Sequence, residues 1–384
     1  MDETGTEDAR GWRPSVRPAF VVWLGSHLAY LCVNVLALAG QEPAPPAGSI
    51  IDVWNRWDTG HYLRIAAEGY GAAPQDIAFF PLYPMLVHLA DVVLPGRTLG
   101  AALVVSNVAG FFALLVMHRL TRHELGDRVA DRTVFYLVAF PTAFFFAAAY
   151  NHSVFLLLTA GALYAMRRGA WWAAGGLGAL ASATRIGGVL LMVPFGYEYL
   201  RQRGFAWRRV RPDAAALALV PVGLVGFAAY CATRFDDPVA FLHAQQLWHR
   251  ELSWPGVALW RAGVEIVQRP LLGEFAVVNI LDLLAAFGVG ALLVLCVVGP
   301  YRLRRDQLWL TLFGIGVIVL PLLLPATDER PLLSMTRYAV DVIPAFLVLG
   351  KMGESKAFDR IYLLVAIALQ GVLLLSFLRN NWAG

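Results

Sequence analysis

The sequence has little charge, almost no lysine and few cysteines. Charged residues fill only 15% of the 384 positions, and hydrophobic residues fill 58%, whereas a soluble domain carries roughly 25% charge. These proportions exclude a soluble globular protein and indicate an integral membrane protein. The three cysteines, Cys32, Cys231 and Cys296, each lie inside an apolar run, which favours small buried residues over a disulfide or a metal site.

The net charge of +4 does not indicate a nucleic-acid-binding protein. The basic residues stand in short clusters between apolar runs, where they are typical of the signals that orient a membrane protein. About 20 helical residues are enough to cross a hydrocarbon core, and apolar runs approaching that length recur along nearly the whole chain. We predict an all-α protein with eleven transmembrane helices, at residues 19–39, 99–118, 133–149, 153–166, 171–184, 186–200, 213–233, 276–299, 307–325, 337–350 and 361–378.

The predicted organisation is a cytoplasmic N-terminal tail (1–18) followed by a single transmembrane domain (19–384). Its two long external loops are residues 40–98 and 234–275. The run 77–94 is ambiguous, because it is apolar but carries two prolines, a histidine and an aspartate. If this run does not cross, 20 of the 31 basic residues lie in short connections on the side of the N-terminus. The positive-inside rule therefore favours a re-entrant or surface-lying helix for it.

Polar residues cluster in the first external loop, in the segment WNRWDTGHYLRIAAEGY (54–70). In a helix, Asp58, His61 and Glu68 would share one face, and Trp54 and Trp57 would continue that face as interfacial anchors. An ordinary amphipathic loop helix with a solvated face explains the same pattern. The placement favours chemistry, since a carboxylate and an imidazole beside apolar helices suit proton abstraction from a hydroxyl whose lipid tail stays in the bilayer.

The same segment carries a family resemblance. RWD with YLRIAAEGY and the following AFFPLYP (78–84) resembles the first luminal loop of the GPI mannosyltransferase II family, phosphatidylinositol-glycan class V, including its bacterial members. Later in the chain, SATRIGG (182–188) and MTRYAVDVIPAF (335–346) resemble further landmarks of that family. The order of these motifs within a many-span chain makes the likeness specific.

The resemblance implies a GT-C type membrane glycosyltransferase with its active site outside the cytoplasm. Such an enzyme takes a sugar, usually mannose, from a polyprenyl monophosphate, and an acidic residue of the first external loop is catalytic. The matching residue here is Asp58, with Asp52 as the alternative. The acceptor, a GPI precursor in eukaryotes, is not carried over, because a bacterium would lack it.

We interpret Asp58 as the general base of an inverting transfer, which needs one carboxylate rather than the two of a glycoside hydrolase. The predicted substrate-binding residues are His61, Arg64, Arg185, Arg337 and Tyr338. The three arginines are included because a guanidinium group suits a departing phosphate. No metal and no other cofactor are predicted, because DTGH (58–61) offers only one carboxylate.

Each of these assignments has a structural alternative. Arg337 and Asp341 are four residues apart and could simply pair on one helix, and Arg185 could extend to the lipid headgroups. The second external loop, FLHAQQLWHRELSWPG (241–256), suits sugar binding but equally suits an interfacial helix. For the whole protein, the alternative is a transporter or flippase, which would show repeated halves and broken helices in equivalent positions. The sequence gives no sign of either.

Overall fold

The computed structural model describes residues 11–39, 46, 48–94 and 97–381, which form helices and no β-strand. The predicted all-α fold is therefore confirmed. Ten residues of the predicted N-terminal tail, and positions 40–45, 47 and 95–96 of the first external loop, lie outside the described residues. The α-helices are α1 (Arg13–Leu38), α2 (Ser49–Asp52), α3 (Asp58–Glu68), α4 (Leu82–Val93), α5 (Thr98–Leu125), α6 (Asp127–Ala139), α7 (His152–Arg167), α8 (Trp171–Thr184), α9 (Met192–Gln202), α10 (Val222–Phe235), α11 (Ala240–His243), α12 (Pro255–Gln268), α13 (Glu274–Val297), α14 (Trp309–Leu322), α15 (Met335–Ala339), α16 (Ile343–Met352) and α17 (Lys356–Leu378).

Among the described residues, four helices are long and apolar enough to cross a membrane unbroken: α1, α5, α13 and α17. A fifth candidate is the 3₁₀ helix Pro212–Leu219 followed by α10, which are bent by 46° at the break between them. The other predicted spans also fall on helices, but these are short or interrupted. The protein is thus a membrane protein, while the count of eleven crossings stays a prediction.

Three of the interrupted spans break near one another. α6 ends at Ala139, just before Phe140 and Pro141, because a residue that precedes proline is disfavoured in the helical conformation. A break at Arg185, whose backbone is extended, separates α8 from a 3₁₀ helix over Ile186–Leu191. Another break lies between α15 and α16, at residues 340–342. The structure therefore contains broken helices that the sequence did not reveal.

The interrupted backbone is placed where it can be tolerated. Asn151 lies just before α7, Arg185 between two helical segments and Asp341 between α15 and α16, and all three residues line one internal cavity. Non-helical backbone at membrane depth is stable only where protein covers it or where it borders a cavity. The fold therefore brings polar residues at helix ends and breaks, from three distant parts of the chain, to one cavity.

The first external loop folds partly as expected. α3 begins at Asp58, as the spacing predicts, and buries Thr59, Tyr62 and Ile65 against the bundle. The prediction that the helical face continues back through the tryptophans is wrong: Trp57 has φ +51°, outside the helical region, and Trp54 is buried beside the ring of Phe377. Burial of Trp54 against α17 overrides the interfacial position that its residue type favours.

The ambiguous run folds as α4, twelve residues from Leu82 to Val93. Such a helix is about 18 Å long, well short of the roughly 30 Å hydrocarbon core. Its length therefore favours the surface-lying or re-entrant placement that the charge count indicates.

Small residues let α8 and α10 pack at close range. A Cβ added to Gly223 would collide with the backbone of Ala179 and Ala183, and one added to Gly178 would press on Val220. Packing of this kind, in which small residues let backbones approach, is the common means of helix association in a bilayer. It fixes the end of α8, and hence the position of Arg185.

Candidate active site

A cavity of about 760 Å³ lies between the external loops and the interrupted helices. That volume is within the usual range for a small-molecule site, about 300 to 1,000 Å³. Its apolar lining includes Phe155, Gly187, Leu190, Val317, Leu320 and Leu324. Its charged lining consists of four arginines and three aspartates, which are Arg185, Arg250, Arg330, Arg337, Asp58, Asp328 and Asp341. The cavity thus combines apolar surface with charged groups that have an excess of positive charge.

Asp58 is held on the cavity wall by Arg337. The Arg337 Nη1 donates to Asp58 Oδ2 at 2.7 Å, and the two side chains are 11% and 21% exposed. The Arg337 guanidinium also lies 5.5 Å from the ring centre of Phe145 and 5.6 Å from that of Tyr150, within cation–π range. The hydroxyl of Tyr150 accepts from the backbone N–H of Asp58 at 3.2 Å. Arg337 therefore holds the carboxylate and Tyr150 the backbone of Asp58, and no described residue contacts Oδ1 at hydrogen-bond distance.

A second ion pair lies on the same wall. Arg185 Nη1 donates to Asp341 Oδ2, and His152 Nδ1 lies 3.5 Å from the same oxygen. The Arg185 guanidinium stacks 5.2 Å from the ring centre of Tyr338. The alternative pairing of Arg337 with Asp341 on one helix is thus wrong, because each residue pairs with a distant partner instead.

His61, Arg64 and Asp76 form a third cluster. Asp76 Oδ1 accepts from His61 Nδ1 at 2.7 Å, while Arg64 donates to both oxygens, at 2.6 and 2.7 Å. Burial alone would raise the pKa of Asp76. The hydrogen bonds from Arg64 and His61, together with the positive charge of Arg64, outweigh burial, so the pKa of the Asp76 carboxyl lies below its usual value.

The second external loop closes over the cavity. The Trp248 ring packs edge-on 5.4 Å from His61 and 6.1 Å from Phe79. Two residues further on, Arg250 forms an isolated antiparallel bridge with Ala326, and its side chain interacts with the hydroxyl of Tyr338. This loop therefore packs on the first external loop and pairs with the segment before Arg337.

The structure brings together most of the residues that the sequence singles out. Asp58, His61, Arg185, Arg337 and Tyr338 all line the cavity. Arg64 does not line it, since its guanidinium is occupied by Asp76.

The alternative base, Asp52, is placed differently from Asp58. It is about half exposed, pairs with Arg97 at 2.7 Å and does not line the cavity. Position therefore favours Asp58 over Asp52 as the residue that meets a substrate.

Four residues of the site were missed in the sequence: Asp76, Tyr150, His152 and Asp341. Asp341 stands in the MTRYAVDVIPAF motif and Asp76 stands three residues before Phe79, so the motifs offered a signal for these two. Tyr150 and His152 flank Asn151 in an apolar stretch, and nothing in the local pattern marks them. Within the part of the chain that the structure describes, no group of three or more His, Cys, Asp or Glu side chains could hold a metal ion.

Comparison with known sequences bears directly on this site. Residues 47–210 match the model of the Mannosyltransferase (PIG-V) family, a range that contains Asp58, His61 and Arg185. The chain is 34% identical to GPI alpha-1,6-mannosyltransferase 2 of Cricetulus griseus over 146 residues, which is 35% of this chain and 29% of the relative. The counterpart from Rattus norvegicus is 29% identical over 217 residues, 53% of this chain and 42% of the relative. The match thus spans less than half the length of these relatives.

The fold itself resembles a solved structure over almost its whole length. The crystal structure of ArnT from Cupriavidus metallidurans bound to undecaprenyl phosphate aligns with a TM-score of 0.55 at 17% identity, covering 92% of this chain and 64% of that one. Its apo structure aligns with a TM-score of 0.53 at 16% identity, covering 94% and 63%. The resemblance inferred from the motifs is therefore confirmed: from residue 47 to residue 210 the chain matches the Mannosyltransferase (PIG-V) family, and over almost its whole length it has the fold of ArnT.

Proposed function

We propose that this chain is an inverting membrane glycosyltransferase that moves a hexose, most simply mannose, from a polyprenyl phosphate to a hydroxyl of a lipid-linked or glycan acceptor. The observation that carries the proposal is the position of Asp58, on the wall of a cavity whose lining combines apolar side chains with four arginines. The match to a mannosyltransferase family supports the choice of sugar. The presence of undecaprenyl phosphate in the related ArnT structure supports the choice of carrier.

In this reaction Asp58 acts as the general base. The acceptor oxygen attacks the anomeric carbon, its proton passes to Asp58 Oδ1, and the bond from that carbon to the phosphate oxygen breaks. Arg337 holds Oδ2, so the other carboxylate oxygen is left to meet the incoming hydroxyl. A positioned base of this kind contributes about 10² to 10⁴ in rate.

The leaving polyprenyl phosphate carries the negative charge that builds up as the bond breaks. Four arginines against three aspartates leave the cavity lining positive. Arg250 is the best placed to bind the phosphate, because it has no carboxylate partner among the described residues and its fork can make two charge-assisted bonds. Arg185, already paired with Asp341, adds positive potential beside it.

The apolar part of the lining gives the prenyl tail a surface to lie on. Phe155, Leu320 and Val317 belong to this part of the lining. We place the protein in the cell membrane as a multi-pass protein with this cavity on the extracytoplasmic side, in line with the positive-inside rule.

The test is transfer by purified protein. Labelled polyprenyl-phosphate-mannose is incubated with a membrane-lipid extract and wild type, Asp58→Asn or the matched control Asp52→Asn. We expect Asp58→Asn to lose about 10²- to 10⁴-fold in rate, and Asp52→Asn to stay within about twofold of wild type, since Asp52 pairs with Arg97 away from the cavity.

Three outcomes would overturn parts of this proposal. Equal transfer by wild type and Asp58→Asn would remove Asp58 as the base. A loss confined to Asp52→Asn would move the base to that residue. If wild type translocates a labelled lipid across vesicles without forming a new glycosidic bond, the transporter alternative replaces the enzyme.

A further inference from the structure

We propose that Asp76 is a positioning residue that holds His61 with its proton on Nδ1, so that Nε2 accepts a hydrogen bond from a substrate hydroxyl in the cavity. This inference rests on the proposed function, because it concerns how the same cavity binds its hydroxyl-bearing substrate. It adds a residue that does not line the cavity but decides what a cavity residue can bind.

The geometry begins with a fully buried carboxylate. The side chain of Asp76 has no exposed surface, and its Oδ1 lies 2.7 Å from His61 Nδ1. Arg64 holds the same carboxylate through both oxygens. Asp76 belongs to a short 3₁₀ helix and His61 to α3, so the contact fixes the histidine from a separate element.

The protonation of Nδ1 follows from its two neighbours. Asp76 Oδ1 is an acceptor at 2.7 Å, and Arg64 Nη2 is a donor at 3.0 Å from the same nitrogen. A lone pair on Nδ1 would face the charged oxygen at the shorter distance, which is repulsive. A proton on Nδ1 makes the shorter contact a hydrogen bond to a carboxylate, the arrangement that commonly fixes a histidine tautomer.

Asp76 holds the Nδ1 edge of the ring, so Nε2 is the nitrogen on the opposite edge. His61 lines the cavity, and its side chain is 19% exposed. Phe79 stacks on one face at 4.7 Å, and Trp248 packs edge-on at 5.4 Å. No described residue lies at hydrogen-bond distance from Nε2, so this nitrogen is left for a ligand.

The chemistry of Nε2 selects the ligand. In the neutral ring with Nδ1 protonated, Nε2 is an acceptor only. It suits the O–H of a sugar or acceptor, and it does not suit an anionic phosphate oxygen. Because His61 lies one helical turn after Asp58, on the same face of α3, the bound hydroxyl belongs to the transferred hexose or to the acceptor that Asp58 deprotonates.

The first measurement is the tautomer itself, by ¹⁵N NMR of histidine-labelled full-length protein in detergent. His61 is assigned by the loss of its signals in His61→Gln. We expect a neutral ring with a protonated Nδ1 in wild type. In Asp76→Leu the Arg64 donor becomes the nearest partner of Nδ1, so the proton should move to Nε2. Arg64→Met is the matched control: it also breaks the ion pair with Asp76, but it should keep the wild-type tautomer.

The second measurement is equilibrium binding of polyprenyl-phosphate-mannose and of bare polyprenyl phosphate, together with the KM for the acceptor extract. If the hydroxyl belongs to the hexose, Asp76→Leu should weaken the binding of polyprenyl-phosphate-mannose about tenfold, which is the effect of losing one hydrogen bond. The affinity for bare polyprenyl phosphate should not change. If the hydroxyl belongs to the acceptor, both affinities should hold and the acceptor KM should rise about tenfold. Unchanged affinity for bare lipid also reports that the variant is folded.

The inference is overturned by a wild-type His61 that is protonated on Nε2 or on both nitrogens, by a tautomer that stays the same in Asp76→Leu, or by equal losses of affinity for both lipids. Failure of the proposed function is separate. A wild type that transfers no hexose would reject the transferase while the NMR result stands, and a wrong tautomer in an active enzyme would reject only the role of Asp76.

Discussion

α7 connects two clusters of buried charge. At its first residue, His152 contacts Asp341 and Arg185 on the cavity wall. At its last residue, about 22 Å further along the helix, Arg167 binds Glu124, Glu198 and Asp306 at 2.8, 3.5 and 2.6 Å. The residue types are the same at both ends, but the surroundings differ.

No residue of the Arg167 cluster lines the cavity. Glu124 and Glu198 have no exposed side-chain surface, and Arg201 also binds Glu198. At the other end Arg185 and Arg337 each pair with one carboxylate, and both line the cavity. Buried charge alone therefore does not mark a site. Open volume beside the charges does, because such groups can meet a ligand.

The largest expected effect separates the two clusters by activity. Arg337→Met should lower kcat/KM for the donor by about 10²- to 10³-fold. The substitution removes the side chain that holds Asp58. In the proposed reaction it also removes positive charge near the departing phosphate. Rates are measured per folded molecule in the transfer assay. If Arg337→Met keeps more than a tenth of wild-type activity, the Arg337–Asp58 ion pair contributes to the structure and not to catalysis, like the Arg167 cluster.

The next effect is on stability rather than rate. Arg167→Met leaves buried carboxylates without their shared cation, so the free energy of unfolding in detergent should fall by about 3 to 5 kcal/mol. Activity per folded molecule should stay unchanged.

Arg208→Met is the control for Arg167→Met. Arg208 is exposed, and its replacement should change the free energy of unfolding by less than about 0.5 kcal/mol. A loss of catalytic rate in Arg167→Met, without a loss of stability, would contradict the division between the two ends of α7.

The smallest effect is a pH dependence in the Arg167 cluster. Burial alone would raise the pKa of Asp306, but hydrogen bonds and charge from Arg304 and Arg167 lower it below the usual 3.8. A lowered native pKa stabilises the fold above the unfolded pKa, and this contribution is lost as pH falls through the native value. Asp306→Asn should thus melt below wild type at pH 7, and the difference should shrink below about pH 4. Asp236→Asn, at an exposed position, controls for the loss of one negative charge. If the difference in melting temperature between wild type and Asp306→Asn grew on acidification, the predicted direction of the pH dependence would be wrong.

Local patterns in the sequence were enough for several conclusions. Composition indicated the membrane, because too few polar residues are present to cover a soluble surface. The spacing of Asp58 and His61 predicted α3, since helical periodicity is a property of neighbouring residues. The quoted motifs indicated the family and its catalytic aspartate by resemblance. Arg185 and Arg337 stood out because charge beside apolar runs is costly.

The partners of those residues were decided only by the tertiary structure. Asp58 pairs with Arg337 across 279 positions, and Arg185 pairs with Asp341 across 156. No local period encodes such contacts, so the sequence favoured the nearer pairing of Arg337 with Asp341. The burial of Trp54 and the breaks at Arg185 and Asp341 have the same origin. The sequence by itself determined which residues are costly in a membrane, whereas the packing of distant helices decided which of them meet around an open cavity.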